Sequence, residues 1–471
     1  MIRQRKLMAN LAAVMLLLGV AGSAPAEELV CYPAPDDLSQ VENLWLHNGS
    51  RYSVKVNGRS VPVYLSRSTN KKIELEEAYI AYFSFAGGPV QIEVICGMDV
   101  KLAAVRPYSR GVTPAVAGRT VHLTMEKPMK VWLQTNGDRK KPLFIFADAP
   151  IEDPGPKGVD HYFGPGVHHI GLKYRVKSRE KVFIAGGAVL EGTFDVEETT
   201  DVSFSGRGIV AGGQWASFSD GVGHQVFESK KARNLHVEGL LCISQDSHTF
   251  DWDAGGRRVS NLKLIAFEWT TDDPGSINGG DARVSDCFCV LADDVPRVDG
   301  NAHDVVFEDI AVWAYNNNVM IFGQYCRKGN ETRNITYRNI DVMVLDVPDG
   351  SAVIQCDLQN EGVVRDILIE NVRVEEMRSG NLVNLAIDQN LRPFHNKWDT
   401  EGQGQLYGIT IRNLTAPRAT GRLMGYDPQH QVRDIRFENL VISGKPVTGI
   451  EQTDLQTNQF TADIRFDHPG K

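Results

Sequence analysis

Two acidic pairs, Asp272-Asp273 and Asp293-Asp294, stand 21 positions apart in a chain of 471 residues. Two carboxylates facing one bond can protonate a leaving oxygen and activate a water, which is the chemistry of glycoside hydrolysis. Inversion asks for carboxyls roughly 6.5–9.5 Å apart and retention for about 5 Å. Parallel strands stack about 4.8 Å apart, so acids on adjacent rungs, offset sideways, reach the inverting range. Crowding of like charges also raises the proton affinity of one carboxyl, which yields a proton-carrying acid near neutral pH. Successive side chains of a strand alternate in direction. Asp293 and Asp294 are therefore expected at a strand end or kink, both near a surface groove. Asp272-Asp273-Pro274-Gly275 taken alone reads as a turn. The second pair one repeat later, with Trp269 and Trp313 flanking the stretch, favours a catalytic cluster instead. Calcium binding competes, because carboxylates are hard oxygen ligands. The reading expects no metal and no cofactor.

The elements that must position these acids recur along the chain. A phrase opening near Asn or Asp and continuing with alternating apolar residues appears at Thr200–Phe204, Arg233–Val237, Ser260–Leu264 and Ala282–Val284. It returns at His303–Phe307, Arg333–Tyr337, Arg365–Ile369, Tyr407–Ile411 and Arg433–Phe437, at intervals between 21 and 42 residues. Period-2 alternation, polar turn openers and an irregular repeat predict an all-β solenoid, a right-handed parallel β-helix over 151–452. The shortest intervals are bare coils and the longer ones carry loops. Residues 453–471 read as a C-terminal tail.

Residues 27–150 read as a small β-sandwich domain of short strands. Tyr52–Val56 leads into an Asn57-Gly58 hairpin turn, and Gly87-Gly88-Pro89 separates two further strands. This domain is expected to support its neighbour. The glycine-rich stretch 182–192 lacks the context of a nucleotide-binding loop and suits tight corners.

Arg3, Arg5 and Lys6, an apolar run over Leu11–Val20 and Ala24-Pro25-Ala26 make residues 1–26 a signal peptide. The protein is then secreted or periplasmic, with no membrane anchor. The leader holds three of the 50 Lys and Arg and none of the 59 Asp and Glu, which puts the mature chain at −12. Such an acidic chain is a poor nucleic-acid binder. Seven cysteines are too few for a disulfide scaffold, although Cys31 and Cys96 could pair. Cys287 and Cys289 read as small buried apolar residues.

The order Trp269-x-x-Asp272, Asp293-Asp294, Ile310-Ala311-Val312-Trp313, then an Asn-rich stretch ending Met320-Ile321-Phe322-Gly323, resembles family 49 glycoside hydrolases, the dextranase and isopullulanase group. Tyr162–His168 and Val182–Val189 resemble that family's entry into its β-helix. The resemblance implies that Asp293 is the general acid and that Asp272 and Asp294 position and deprotonate the water, with inversion. Asp273 stands where the family has Gly and is a rival for the first position. Family 28 polygalacturonases share the acidic arrangement, but their Gly-His-Gly and Arg-Ile-Lys signatures have no counterpart here. The implied substrate is a polysaccharide or oligosaccharide, a neutral α-glucan such as dextran. Trp269 could stack on a sugar, His248 line the groove and Asn317 bind hydroxyls, or the asparagines at 316–318 could form a stack. The alternatives are a lyase acting on a uronate glycan and a non-catalytic glycan-binding β-helix.

Overall fold

The computed structural model describes residues 26–68, 73–217, 224–246, 248–250, 253–266, 276–387 and 403–468. Residues 28–148 form two sheets, of seven and five strands. The five-stranded sheet alternates cleanly: along Val90–Cys96 every second side chain is buried. Its Val54, Ile92, Val94 and Leu123 meet Phe83, Val131, Leu133 and Ile145 of the larger sheet in one core. Asn57 and Gly58 both take positive φ, the geometry a two-residue hairpin loop needs, and pair Val56 with Arg59. Cys31 and Cys96 are separate thiols, which corrects the expectation that they could pair.

From His161 onward the described strands form a parallel β-helix, ending in Thr461–Asp467. Each coil presents three faces. On the first face Val305, Ile335, Ile367, Ile409, Ile435 and Ile464 stack in register on successive coils. Phe307 and Tyr337 lie two positions along, with rings stacked at 5.1 Å. These are the inward residues of the recurring phrase. Its polar openers take left-handed backbone: Asn234, Asp304, Asn334, Asp366 and Asp434 all have φ between 52° and 56°. Asn and Asp tolerate that conformation better than other residues with a Cβ. A second row of the same kind bends each coil from first to second face, and its amides link coils: Asn413 Nδ2 donates to Asn371 at 2.9 Å and Asn439 Nδ2 to Asn413 at 2.8 Å.

The chain end carries a correction. Asp454–Thr457 and Thr461–Asp467 pair in parallel with the preceding coil, so the stretch expected as a tail adds strands to the solenoid.

The second face does not meet water. Ile243, Ile265, Val290 and Trp313 point outward there and pack on Tyr82, Trp132, Phe144 and Phe146, the outer face of the seven-stranded sheet. Trp132 and Trp313 stack at 4.5 Å. Charge threads the seam. Lys263 is fully buried, and its ammonium donates to Asp148 at 2.6 Å, the Gly239 carbonyl at 2.8 Å and the Tyr82 hydroxyl at 3.1 Å. Close by, Lys130 pairs with Asp286 at 2.8 Å, and at the other end Arg106 pairs with Glu376 at 3.2 Å. The small sheets therefore clamp the face of the solenoid that leads into the acidic bend.

Candidate functional site

Val290 faces the sandwich, Leu291 the solenoid core and Ala292 the sandwich again. The strand Phe288–Leu291 then stops, and the next, Val295–Val298, opens on the third face with Val295 and Val298 in the core. Asp293 and Asp294 fill the bend between two apolar strands. One coil later the same bend carries Tyr315-Asn316-Asn317-Asn318 between His303–Ala314 and Val319–Phe322. Parallel register, Val295 opposite Val319, seats the bends on each other.

That seating joins acids to amides 24 positions on. Asn317 Nδ2 donates to Asp293 Oδ1 at 2.5 Å, and the Asp294 N–H donates to the same oxygen at 2.9 Å. Asp294 Oδ1 accepts from the Asn318 N–H at 3.1 Å and from Asn318 Nδ2 at 2.8 Å. Asn318 Nδ2 also reaches Asn317 Oδ1 at 3.1 Å, and Asn318 Oδ1 accepts the Ala352 N–H of the following coil at 3.1 Å. The expected bend position holds, but the exposure differs. Asp293 is 7% exposed and Asp294 2%, so the pair is nearly covered rather than open at a rim. The amides of the next coil close over one side. Asn317, expected to bind hydroxyls or stack on other asparagines, is a partner of Asp293.

Three residues outside the expected set complete the cluster. Arg297 is nearly buried, and its Nε donates to Asp299 Oδ2 at 2.6 Å. Its Nη1 stands 3.8 Å from Asp294 Oδ2, and its guanidinium lies 5.1 Å from the centre of the Tyr325 ring. The Tyr325 N–H donates to Asp299 Oδ1 at 3.3 Å. Burial raises the pKa of the Tyr325 phenol. Arg297 works against that rise, and Asp299, Asp294 and Asp293 add to it, so the hydroxyl stays a proton donor.

The outward residues of the third face continue the polar character away from the acids. Arg297, Ile321, Gln355, Asn384 and Arg422 occupy one register column. Gln355 and Asn384 are buried, and Asn384 Nδ2 donates to Gln355 Oε1 at 3.0 Å. Among the described residues Gln355 Nε2 and Asn384 Oδ1 have no hydrogen-bond partner.

Of the residues expected from sequence, Asp293, Asp294 and Asn317 are brought together. Trp269, Asp272 and Asp273 lie outside the described residues. His248 sits in the corresponding bend two coils before Asp293, counted through Ile243, Ile265 and Val290. Trp313 packs in the seam against Trp132. Among the described residues no three His, Cys, Asp or Glu side chains are grouped to hold a metal ion. Of the residues outside the expected set, Arg297 left a faint trace, since it interrupts an otherwise apolar strand.

No protein-family model matches the chain, and no curated protein matches it in sequence. Several solved structures follow a similar course. The family 28 exopolygalacturonase of Yersinia enterocolitica aligns at TM-score 0.39 and 9% identity, over 95% of this chain and 99% of its own. The catalytic domain of a GH87 α-1,3-glucanase in complex with nigerose aligns at TM-score 0.38 and 11% identity, over 95% and 89%. PfbA, a surface adhesin of Streptococcus pneumoniae, aligns at TM-score 0.37 and 10% identity, over 66% and 83%. Two glycan-cleaving enzymes and an adhesin stand at one level of likeness, which assigns this chain neither a family nor a substrate.

Proposed function

We propose that the protein is an exported glycoside hydrolase that cleaves a polysaccharide or oligosaccharide with inversion, a neutral α-glucan such as dextran leading as substrate. The observation that carries the reading is the pair Asp293-Asp294, two adjacent carboxylates each held by an asparagine of the next coil. Hydrogen bonds from a fixed coil hold the acids still, as acid–base chemistry requires. Asp293 gives its proton to the leaving glycosidic oxygen as the C–O bond breaks. A water oxygen attacks the anomeric carbon from the opposite face, and its proton passes to Asp294, with Asp272 orienting the water. Asp272 lies outside the described residues, and its part rests on the resemblance to family 49 hydrolases. Buried amides with unspent bonding capacity, Gln355 and Asn384, suit a ligand rich in hydroxyls. The resemblance to family 49 hydrolases is the ground for the α-glucan and for inversion, and the basic, apolar leader for export.

The near burial of both acids favours one second reading, a glycan-binding β-helix without catalysis. A lyase needs a cation for a uronate enolate, and Arg297 is already engaged with Asp294 and Asp299. A panel of polysaccharides scored for new reducing ends, with the product anomer read by NMR, tests the proposal. Release of reducing ends with inverted configuration is expected. Tight binding with no ends released on any glycan would replace the hydrolase by the binding protein.

A further inference from the structure

One inward column of the first face runs from Phe307 through Tyr337, Ile369, Ile411 and Phe437 to Phe466. The first five are at most 1% exposed. Phe466 stacks on Phe437 at 4.7 Å but is only half-buried, as is Ile464 two positions before it. Their strand, Thr461–Asp467, pairs along one edge with Val432–Glu438. Among the described residues no strand lies along its other edge. Such an edge, with half-open apolar side chains, is a template for another chain. The outward charges of this strand are unanswered too. On earlier coils one outward column alternates in sign and is paired: Arg338 with Glu308 at 2.6 Å, and Arg412 with Glu370 at 3.4 Å and with Glu438 at 2.6 Å. On the coil of Thr461–Asp467 the alternation fails. Asp467 stands beside Glu438, and in the neighbouring column Arg465 stands beside Arg436. Arg465 and Asp467 are exposed, and among the described residues neither makes an ion pair.

We propose that this edge is a self-association surface, on which two copies of the chain join end to end with their Thr461–Asp467 strands antiparallel about a two-fold axis at Phe466. In an antiparallel pair, residues directly opposite each other project from the same face of the sheet. With Phe466 facing its own copy, Arg465 of one chain stands opposite Asp467 of the other, twice over, and both charge pairs lie outward. The like-charged neighbours Arg436 and Arg465, and Glu438 and Asp467, each gain an opposite charge across the axis. The two Phe466 rings continue the stack begun at Phe437 and close the apolar column. Neighbouring registers fit worse. Centred on Arg465, the strands set arginine against arginine and Asp463 against Asp467. Centred on Ile464, they rest on Asp463, whose left-handed φ of 52° bends the strand. A two-fold contact occupies the edge on both copies, so this assembly closes at a dimer. It requires no catalytic activity of either copy.

Sedimentation velocity on the full chain over a range of concentrations tests the surface. Wild type is expected to pass from monomer to dimer as concentration rises, and to shift back toward monomer in high salt. Arg465→Asp and Asp467→Arg each set like charges together and are expected to weaken the dimer by roughly tenfold or more. Both side chains are exposed, so each variant is expected to melt with wild type. An equimolar mixture of the two variants, one acidic and one basic along the edge, is expected to form a heterodimer that neither variant forms alone. Arg465→Asp combined with Asp467→Arg in one chain restores the opposition and is expected to recover the dimer. Charges on an edge strand can also serve to keep other chains off. Wild type that stays monomeric at every concentration would assign them that role and overturn the proposal. A dimer that neither reversal weakens, or a mixture of folded variants that stays monomeric, overturns it as well.

Discussion

Asn318 meets Asp294 twice, with its backbone N–H at 3.1 Å and its side-chain amide at 2.8 Å, and spends its own oxygen on the Ala352 N–H at 3.1 Å. One fully buried side chain thus ties three coils together at the acid. Asn318→Ala is expected to leave Asp294 with one of these two donors and Ala352 with an unmet N–H. The cost to stability is about 1–3 kcal/mol, read as a lower urea midpoint. Turnover of a cleaved glycan falls on the order of a hundredfold, because Asp294 is no longer fixed. Asn318→Asp sets two acids together and lowers turnover further at high pH than at low pH.

The seam predicts coupling between the two parts of the chain. Trp132 from the sandwich and Trp313 from the solenoid are both nearly fully buried, and Trp313 lies on the strand that runs into Asn317 and Asn318. Trp132→Ala is expected to cost about 3–5 kcal/mol. Calorimetry would then show two unfolding transitions where wild type shows one. A single transition at the wild-type temperature would mean that the seam carries little of the stability.

Glu375 gives the seam a pH dependence. Burial pushes its carboxyl up to about 7, although the Tyr108 N–H donates to it and Arg106 stands 3.7 Å away. The folded protein therefore keeps a proton that the unfolded chain releases near 4.5. The stabilising contribution is present below that lower value and is lost as pH rises through about 7. Within the window this one group tilts stability downward by at most roughly 1.4 kcal/mol per pH unit. Glu375→Gln keeps the acceptor for Tyr108 and cannot ionise. Urea midpoints measured from pH 4.5 to 8 should fall more steeply for wild type than for the variant, with the variant more stable at the top of the range. Parallel curves would show that Glu375 titrates normally.

The fold was legible where the physics is local. Alternation over His303–Phe307 or Arg333–Tyr337 marks strands with one inward face, and the Asn or Asp at the second position of those phrases marks the left-handed bend. The phrase Ala462-Asp463-Ile464-Arg465-Phe466 repeats Arg433-Asp434-Ile435-Arg436-Phe437, and Asp463 has φ of 52°, so the last coil could have been found by the same rule. The seam was not legible, because Val290 and Trp313 face outward yet are as apolar as inward residues, and a sequence does not say which apolar face meets a second core. The position of Asp293 and Asp294 in a bend followed from the alternation of strand side chains. Asn317 and Asn318 were offered for hydroxyls or a stack and not for the acids, because they reach back 24 positions, and an arginine on a strand ordinarily reads as a solvent residue. Only the register of stacked bends turns Arg297 toward Asp294.

Asp293→Asn is the most direct measurement. It removes the proposed proton donor while keeping the size of the side chain and an oxygen for Asn317 and the Asp294 N–H. On the glycan that wild type cleaves best, with folding verified by an unchanged melting transition, release of reducing ends is expected to fall by roughly three orders of magnitude or more. A folded Asp293→Asn protein that turns over near the wild-type rate would contradict the assignment of the acid pair.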